Sequence, residues 1–174
     1  HKKYILPQEE TFDFALMYIP SEGLYSEVSE DLGTVTYARE KKADVLVCIA
    51  GNNKDDPSEI SKLLAPIVDE GADFVQGSRF LKRDANFGDM PRYRRVATRV
   101  HPLCFSLVAR RWVTESTNGF RAVHRRVLAD ERIQLRQPWL DEYELEPYLY
   151  LRAIQLGYRT CEVPVSKVYP PRRV

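Results

Sequence analysis

The chain has 174 residues, 44% of them hydrophobic and 29% charged, with 26 Lys and Arg against 25 Asp and Glu. That length buries a core without disulfides or metal, and the apolar content with a net charge of +1 excludes a disordered chain. No apolar run approaches the ~18 residues that span a bilayer, and the charge balance disfavours a dedicated nucleic-acid binder.

Three cysteines, Cys48, Cys104 and Cys161, stand far apart without CxxC spacing, which fits a reducing compartment and buried small side chains. The first residue is His1, so the sequence reads as a processed or excised piece.

In chain order, residues 12–19 form a short apolar run ended by Pro20 and read as a strand. Residues 21–42 have helical character. Val45–Ala50 is a valine-rich run of the kind found in strands covered on both faces. The polar segment Gly51-Asn52-Asn53-Lys54-Asp55-Asp56 follows it. A helix then opens with Asp56 as N-cap and Pro57 at its first position, carries Ile60, Leu63, Leu64, Ile67 and Val68 at helical spacing, and stops at Gly71. Residues 73–76 are the next strand, with Gly77-Ser78 turning out of it. Strand, helix and strand in this rhythm predict a βαβ unit in a parallel sheet.

A polar loop over 81–90 leads to a helix over 91–111, kinked at Pro102, whose expected buried stripe is Val96, Val100, Leu103, Leu107 and Val108. Residues 120–123 form a short strand. Residues 141–156 form a helix with an acidic first turn, kinked at Pro147 and ended by Gly157; residues 158–163 and 165–169 read as strands. The predicted class is α/β: a three-layer, mostly parallel sheet with flanking helices.

Ligands of open parallel sheets bind beyond the carboxyl ends of the strands. Three polar clusters fall at such places: 51–56, Gly77-Ser78-Arg79, and 115–121. Together they offer carboxylates and amides for a divalent cation and guanidinium groups for phosphate oxygens, a set suited to a diphosphate leaving group. Asp56 is equally explained as a helix cap, and Arg79 and Arg121 as surface charges. Arg92, Arg94 and Arg95 could meet an anionic lipid or phosphate, or be solvated. His101 and His124 read as packed or solvated, and Trp139 as core or as a stacking surface for a sugar. There is no GxGxxG, P-loop, GxSxG or HExxH motif.

Several blocks carry a family resemblance: Ala50-Gly51-Asn52-Asn53-Lys54-Asp55-Asp56-Pro57, Asp73-Phe74-Val75-Gln76-Gly77-Ser78-Arg79-Phe80, Thr114-Glu115-Ser116-Thr117-Asn118-Gly119-Phe120-Arg121-Ala122, Tyr143-Glu144-Leu145-Glu146, and Gly157-Tyr158-Arg159 with Glu162-Val163-Pro164-Val165. Over about residues 33–171 the chain resembles family 2 glycosyltransferases of the GT-A (Rossmann-like) fold, in particular the dolichyl-phosphate mannose synthase-like branch.

The resemblance implies sugar transfer from a nucleotide-diphosphate sugar, with Mg²⁺ or Mn²⁺. It implies an acceptor that in many relatives is a polyprenyl phosphate at the cytoplasmic membrane surface, which suggests a cytoplasmic protein, peripheral at that surface. Carried over by position, Asn52, Asp55 and Asp56 are the metal candidates, with Ala50-Gly51-Asn52 standing where the family has Asp-x-Asp. Asn52, Lys54, Gly77, Ser78, Arg79, Asn118 and Arg121 are candidates for the donor or its phosphates. Glu115 is the candidate general base or acceptor-positioning carboxylate.

Residues 1–30 do not fit that family's opening and resemble a fragment of RmuC-type DNA recombination proteins, through Lys3-Tyr4-Ile5-Leu6-Pro7 and Phe14-Ala15-Leu16-Met17-Tyr18-Ile19-Pro20. On this reading residues 31–174 are a GT-A domain without its nucleotide-base half-site, and residues 12–19 stand beside Val45–Ala50 as a surrogate edge strand. The rival expectations are a binding module without turnover and a DNA-processing protein.

Overall fold

The computed structural model describes residues 2–5, 11–19, 43–50, 54–82, 87–135, 137, 140 and 145–169, the first two segments as backbone alone. Six strands form one sheet: β1 (Lys2–Ile5), β2 (Thr11–Ile19), β3 (Val45–Ala50), β4 (Phe74–Ser78), β5 (Arg121–His124) and β6 (Thr160–Pro164), in the spatial order β1-β2-β3-β5-β4-β6. The helices are α1 (Ile60–Glu70), α2 (Arg92–Ala109), α3 (Arg125–Leu128) and α4 (Leu145–Gln155).

β2 pairs parallel with β3 in the register Phe14↔Val45, as its apolar run suggests, but it is not the sheet edge, because β1 pairs antiparallel on its other side. β4 and β6 are also parallel. The predicted βαβ unit exists as β3, α1 and β4, yet its two strands are not neighbours. β5 lies between them and runs antiparallel to both. Four of the six strands therefore point one way, while β1 and the central β5 point the other.

Helix α1 starts as expected. Asp56 adopts an extended conformation and its side chain accepts from the Ser58 amide at 2.9 Å; Pro57–Glu59 form a 3₁₀ turn, and Gly71 ends the helix at φ 68°. Leu63, Leu64 and Ile67 pack with Val45, Val47 and Val75 on one face of the sheet. On the other face Phe74 stacks on Tyr150 of α4 at 4.7 Å, and Tyr150 stacks on Phe105 of α2 at 5.3 Å. Helix, sheet and helix make the three layers.

Four expectations are corrected. The stripe Val96, Val100, Leu103, Leu107 and Val108 of α2 is exposed, and the buried face is Pro102, Phe105, Ser106 and Ala109. Hydropathy selected the greasier face, whereas packing selected the face with Phe105 and short neighbours that admit α4. Pro147 falls in the first turn of α4, where a missing amide hydrogen costs nothing. The strand expected at 165–169 is absent; Lys167 and Tyr169 make isolated bridges to Asp55 and Gly88. The polar cluster 115–121 precedes β5 at its amino end, and it reaches the edge where β3 and β4 end because β5 is reversed. The expectations for residues 21–42 and for 141–144 lie outside the described residues, as do Asn52 and Trp139. No described helix is long and apolar enough to cross a membrane.

Candidate active site

All three predicted clusters meet at the shared edge, the first through its described residues Lys54 and Asp55. Arg79, just past β4, donates from Nε to Oε2 of Glu115 at 2.5 Å, and both side chains are nearly inaccessible, at 3% and 0% exposure. The other carboxylate oxygen of Glu115 accepts from the amide and the hydroxyl of Thr117, at 2.9 and 2.8 Å. Each carboxylate oxygen thus has a partner, and the pair is neutral as a unit. In this geometry Glu115 holds Arg79.

A second carboxylate builds the loop that carries Glu115. Glu162 on β6 accepts from the amides of Thr114 and Glu115 and from the Thr114 hydroxyl. Burial raises its pKa, against the lowering effect of those hydrogen bonds. Ser78 and Thr114 share a hydroxyl hydrogen bond of 2.7 Å. Gly77 brings strands together: its amide donates to the Phe120 carbonyl at 2.9 Å, and a Cβ there would lie 2.6 Å from that oxygen.

Asn118 is fully buried. Its Nδ2 donates to the Gly77 carbonyl at 3.0 Å, its own carbonyl accepts from Gln76, and its Oδ1 accepts from Nζ of Lys167 at 2.7 Å. The same ammonium contacts both oxygens of Asp55, at 2.9 and 3.0 Å. Arg121 spends its donors on the carbonyls of Asn118 and Glu146 and on the Glu146 carboxylate. These contacts hold its buried guanidinium within the fold.

Of the expected metal ligands Asn52 lies outside the described residues, and each of the two aspartates has another partner. Asp55 is committed to Lys167, Asp56 caps the turn before α1, and Ala50 has no ligating side chain. Among the described residues no group of three or more His, Cys, Asp or Glu side chains could hold a metal ion. Hard divalent ions require several oxygen ligands with charge, and the described donors do not fit one.

What the edge does present is a cleft of about 310 Å³ lined by Lys54, Arg79, Arg94 and Lys167 together with Glu146 and Tyr169. Lys54 lies over the Tyr169 ring at 4.7 Å. Arg79 is 2% exposed, and its buried Nη1 has no partner among the described residues. An unpaired buried guanidinium nitrogen is costly, and an anionic oxygen is the group that relieves it. Lys54 and Arg79 were legible from sequence. Glu146 and Glu162 lie in the family-like blocks but were not assigned to the site, and Lys167 lies in none of them; long-range pairing brings all three there.

No family model matches the chain, and nothing found supports the RmuC-type likeness of residues 1–30. Among curated proteins it is similar to a UDP-N-acetylglucosamine–dolichyl-phosphate N-acetylglucosaminyltransferase of Methanococcus voltae, 28% identical over 132 residues, which is 76% of this chain and 51% of that protein. It is also similar to an uncharacterized protein of Methanocaldococcus jannaschii, 23% identical over 74% of this chain and 51% of that one. The chain thus spans about half the length of the curated relatives it matches. Among solved structures it resembles glucosyl-3-phosphoglycerate synthase of Mycobacterium tuberculosis, with a TM-score of 0.50 at 16% identity over 76% of this chain and 43% of that one. A complex of the same enzyme with phosphoglyceric acid gives 0.51 at 17% identity, covering 86% and 50%.

Proposed function

We propose, on the premise of a family 2 glycosyltransferase of the GT-A fold that the sequence relatives and fold neighbours support, that this chain transfers a sugar from a nucleotide-diphosphate donor to a phosphate-bearing acceptor. The observation that carries the reading is the cleft with four cations on its lining, one of them Arg79, whose Nη1 has no partner among the described residues.

The chemistry follows from that charge. When the bond between the anomeric carbon and the donor's diphosphate breaks, negative charge grows on the departing oxygens. Cations fixed beside them lower the barrier without reorganising. Arg79 is fixed by Glu115, and Glu115 by Thr117 and the strand-borne Glu162, so the guanidinium is held in place before any ligand arrives. No step in this account passes through a metal ion, since the described residues do not fit one.

The acceptor class follows from Glu115. A hydroxyl acceptor needs a base, and this carboxylate is already engaged at both oxygens. A phosphate acceptor is ionised at neutral pH and its oxygen attacks without one. The dolichyl-phosphate substrate named for the archaeal relative supports a lipid phosphate in that place. The test is incubation of the purified chain with labelled UDP- and GDP-sugars and a polyprenyl phosphate, followed by solvent extraction. Label in the organic phase is expected. Donor binding without transfer would leave only a binding module, and no binding of any donor would remove the reading.

A further inference from the structure

Helix α2 carries the largest unpartnered apolar face among the described residues. Tyr93, Val96, Val100, Leu103 and Leu107 recur at intervals of three and four along it, so they form one stripe, and Trp112 stands just beyond its end. Tyr93 is 72% exposed, Leu107 79% and Trp112 70%. The opposite side of the helix, with Phe105, Ser106 and Ala109, is the one that meets the core. The stripe is therefore not needed to fold this domain.

Charge decides what would cover it. Residues 91–112 contain six arginines and no acidic residue, in a chain whose net charge is only +1. By helical spacing Arg92 and Arg99 flank the stripe on one side. A second copy would bring two such arginine sets together with no carboxylate between them. An apolar band edged by arginines and closed by a tryptophan is complementary to an anionic lipid surface, where acyl chains take the band and headgroup phosphates meet the guanidiniums.

We infer that the exposed face of α2 lies in the interface of an anionic membrane. The stripe leads into a groove of about 340 Å³ between Phe80, Leu103 and Trp112, with Arg99 at its wall. Arg94 and Thr98 of the same helix line the cationic cleft. The docking itself does not rest on sugar transfer, and its test contains no nucleotide sugar.

The experiment is flotation with vesicles of phosphatidylcholine alone and of phosphatidylcholine mixed with phosphatidylglycerol. It is paired with Trp112 fluorescence in a Trp139→Phe background. The expected result is retention by the mixed vesicles, weakened by salt, with a blue shift of Trp112 and quenching by brominated lipid. Leu107→Glu should lower partitioning tenfold or more, and Arg92→Gln and Arg99→Gln about fivefold each. These side chains are exposed, so the variants should keep the parent circular dichroism; if one does not, Trp112 quenching in the parent still decides. Failure of the mixed vesicles to retain the protein, or undiminished binding by a folded Leu107→Glu, would overturn the inference. So would acrylamide access to Trp112 in the bound state. A blue shift that depends on protein concentration without vesicles would overturn it in favour of a protein partner or second copy.

Discussion

Replacing Glu115 by glutamine separates the two parts this residue could play. The change keeps the shape but removes the charge that neutralises Arg79, which has nowhere to turn at 3% side-chain exposure. One carboxamide position becomes an NH₂ group facing either the Arg79 Nε donor or the Thr117 donors, so one contact turns from attractive to repulsive. Breaking a buried pair by removing one partner costs about 3–5 kcal/mol. On a typical stability of ~5–15 kcal/mol for a domain, that is a large share. Urea unfolding monitored by circular dichroism should therefore show Glu115→Gln destabilised by about 3 kcal/mol or more. The double variant Arg79→Met/Glu115→Leu should recover much of the loss, because a neutral apolar pair leaves no buried charge. A Glu115→Gln protein within about 0.5 kcal/mol of the parent, or a double variant no better than the single one, would refute the positioning account.

Three further outcomes follow from the same geometry. Gly77→Ala should cost at least about 2 kcal/mol in the same assay, because the added carbon meets a backbone oxygen of the neighbouring segment at 2.6 Å and the strand cannot give way cheaply. Asp56→Ala should cost ~1 kcal/mol, the value of an N-cap, and should leave calorimetric affinity for UDP-sugars and any effect of Mn²⁺ on it unchanged; a loss of Mn²⁺-dependent binding would restore Asp56 as a ligand. Glu59 is pushed down by bonds from Lys62, the Ser166 amide and Lys82, to a pKa of about 2 from 4.5, although burial alone would raise it. Its folded pKa lies below the unfolded one, so its stabilisation is complete above pH ~4.5 and fades as pH falls toward 2. Of the ~3 kcal/mol that the shift converts to, about 1–2 should survive screening of the part-exposed lysines. Glu59→Gln should flatten the pH dependence of urea unfolding over that range, and an unchanged slope would contradict this origin.

The sequence discloses what local chemistry controls. The cap Asp56 and Pro57 specify the 3₁₀ turn that leads into α1, and the left-handed stop at Gly71 specifies its end, because each acts over a single turn. The Gly77-Ser78-Arg79 turn is visible for the same reason. The reversal of β5 is not, since a four-residue strand carries no mark of direction and its orientation is set by its partners. That reversal brings Glu115 to Arg79. The inverted burial of α2 arises because hydropathy identifies an apolar face but not what covers it. Lys167 was overlooked because its partners, Asp55 and Asn118, stand 112 and 49 residues away in sequence.

The claim on which the functional account turns is that the Arg79 cleft grips a diphosphate. Isothermal titration with UDP, UDP-N-acetylglucosamine and uridine, in chelator and then in Mn²⁺, addresses it directly. Saturable binding of at least one diphosphate ligand in chelator is predicted, with none of uridine, and with affinity lowered at least tenfold by Arg79→Met. Equal binding by parent and variant, or heat only when Mn²⁺ is added, would contradict it.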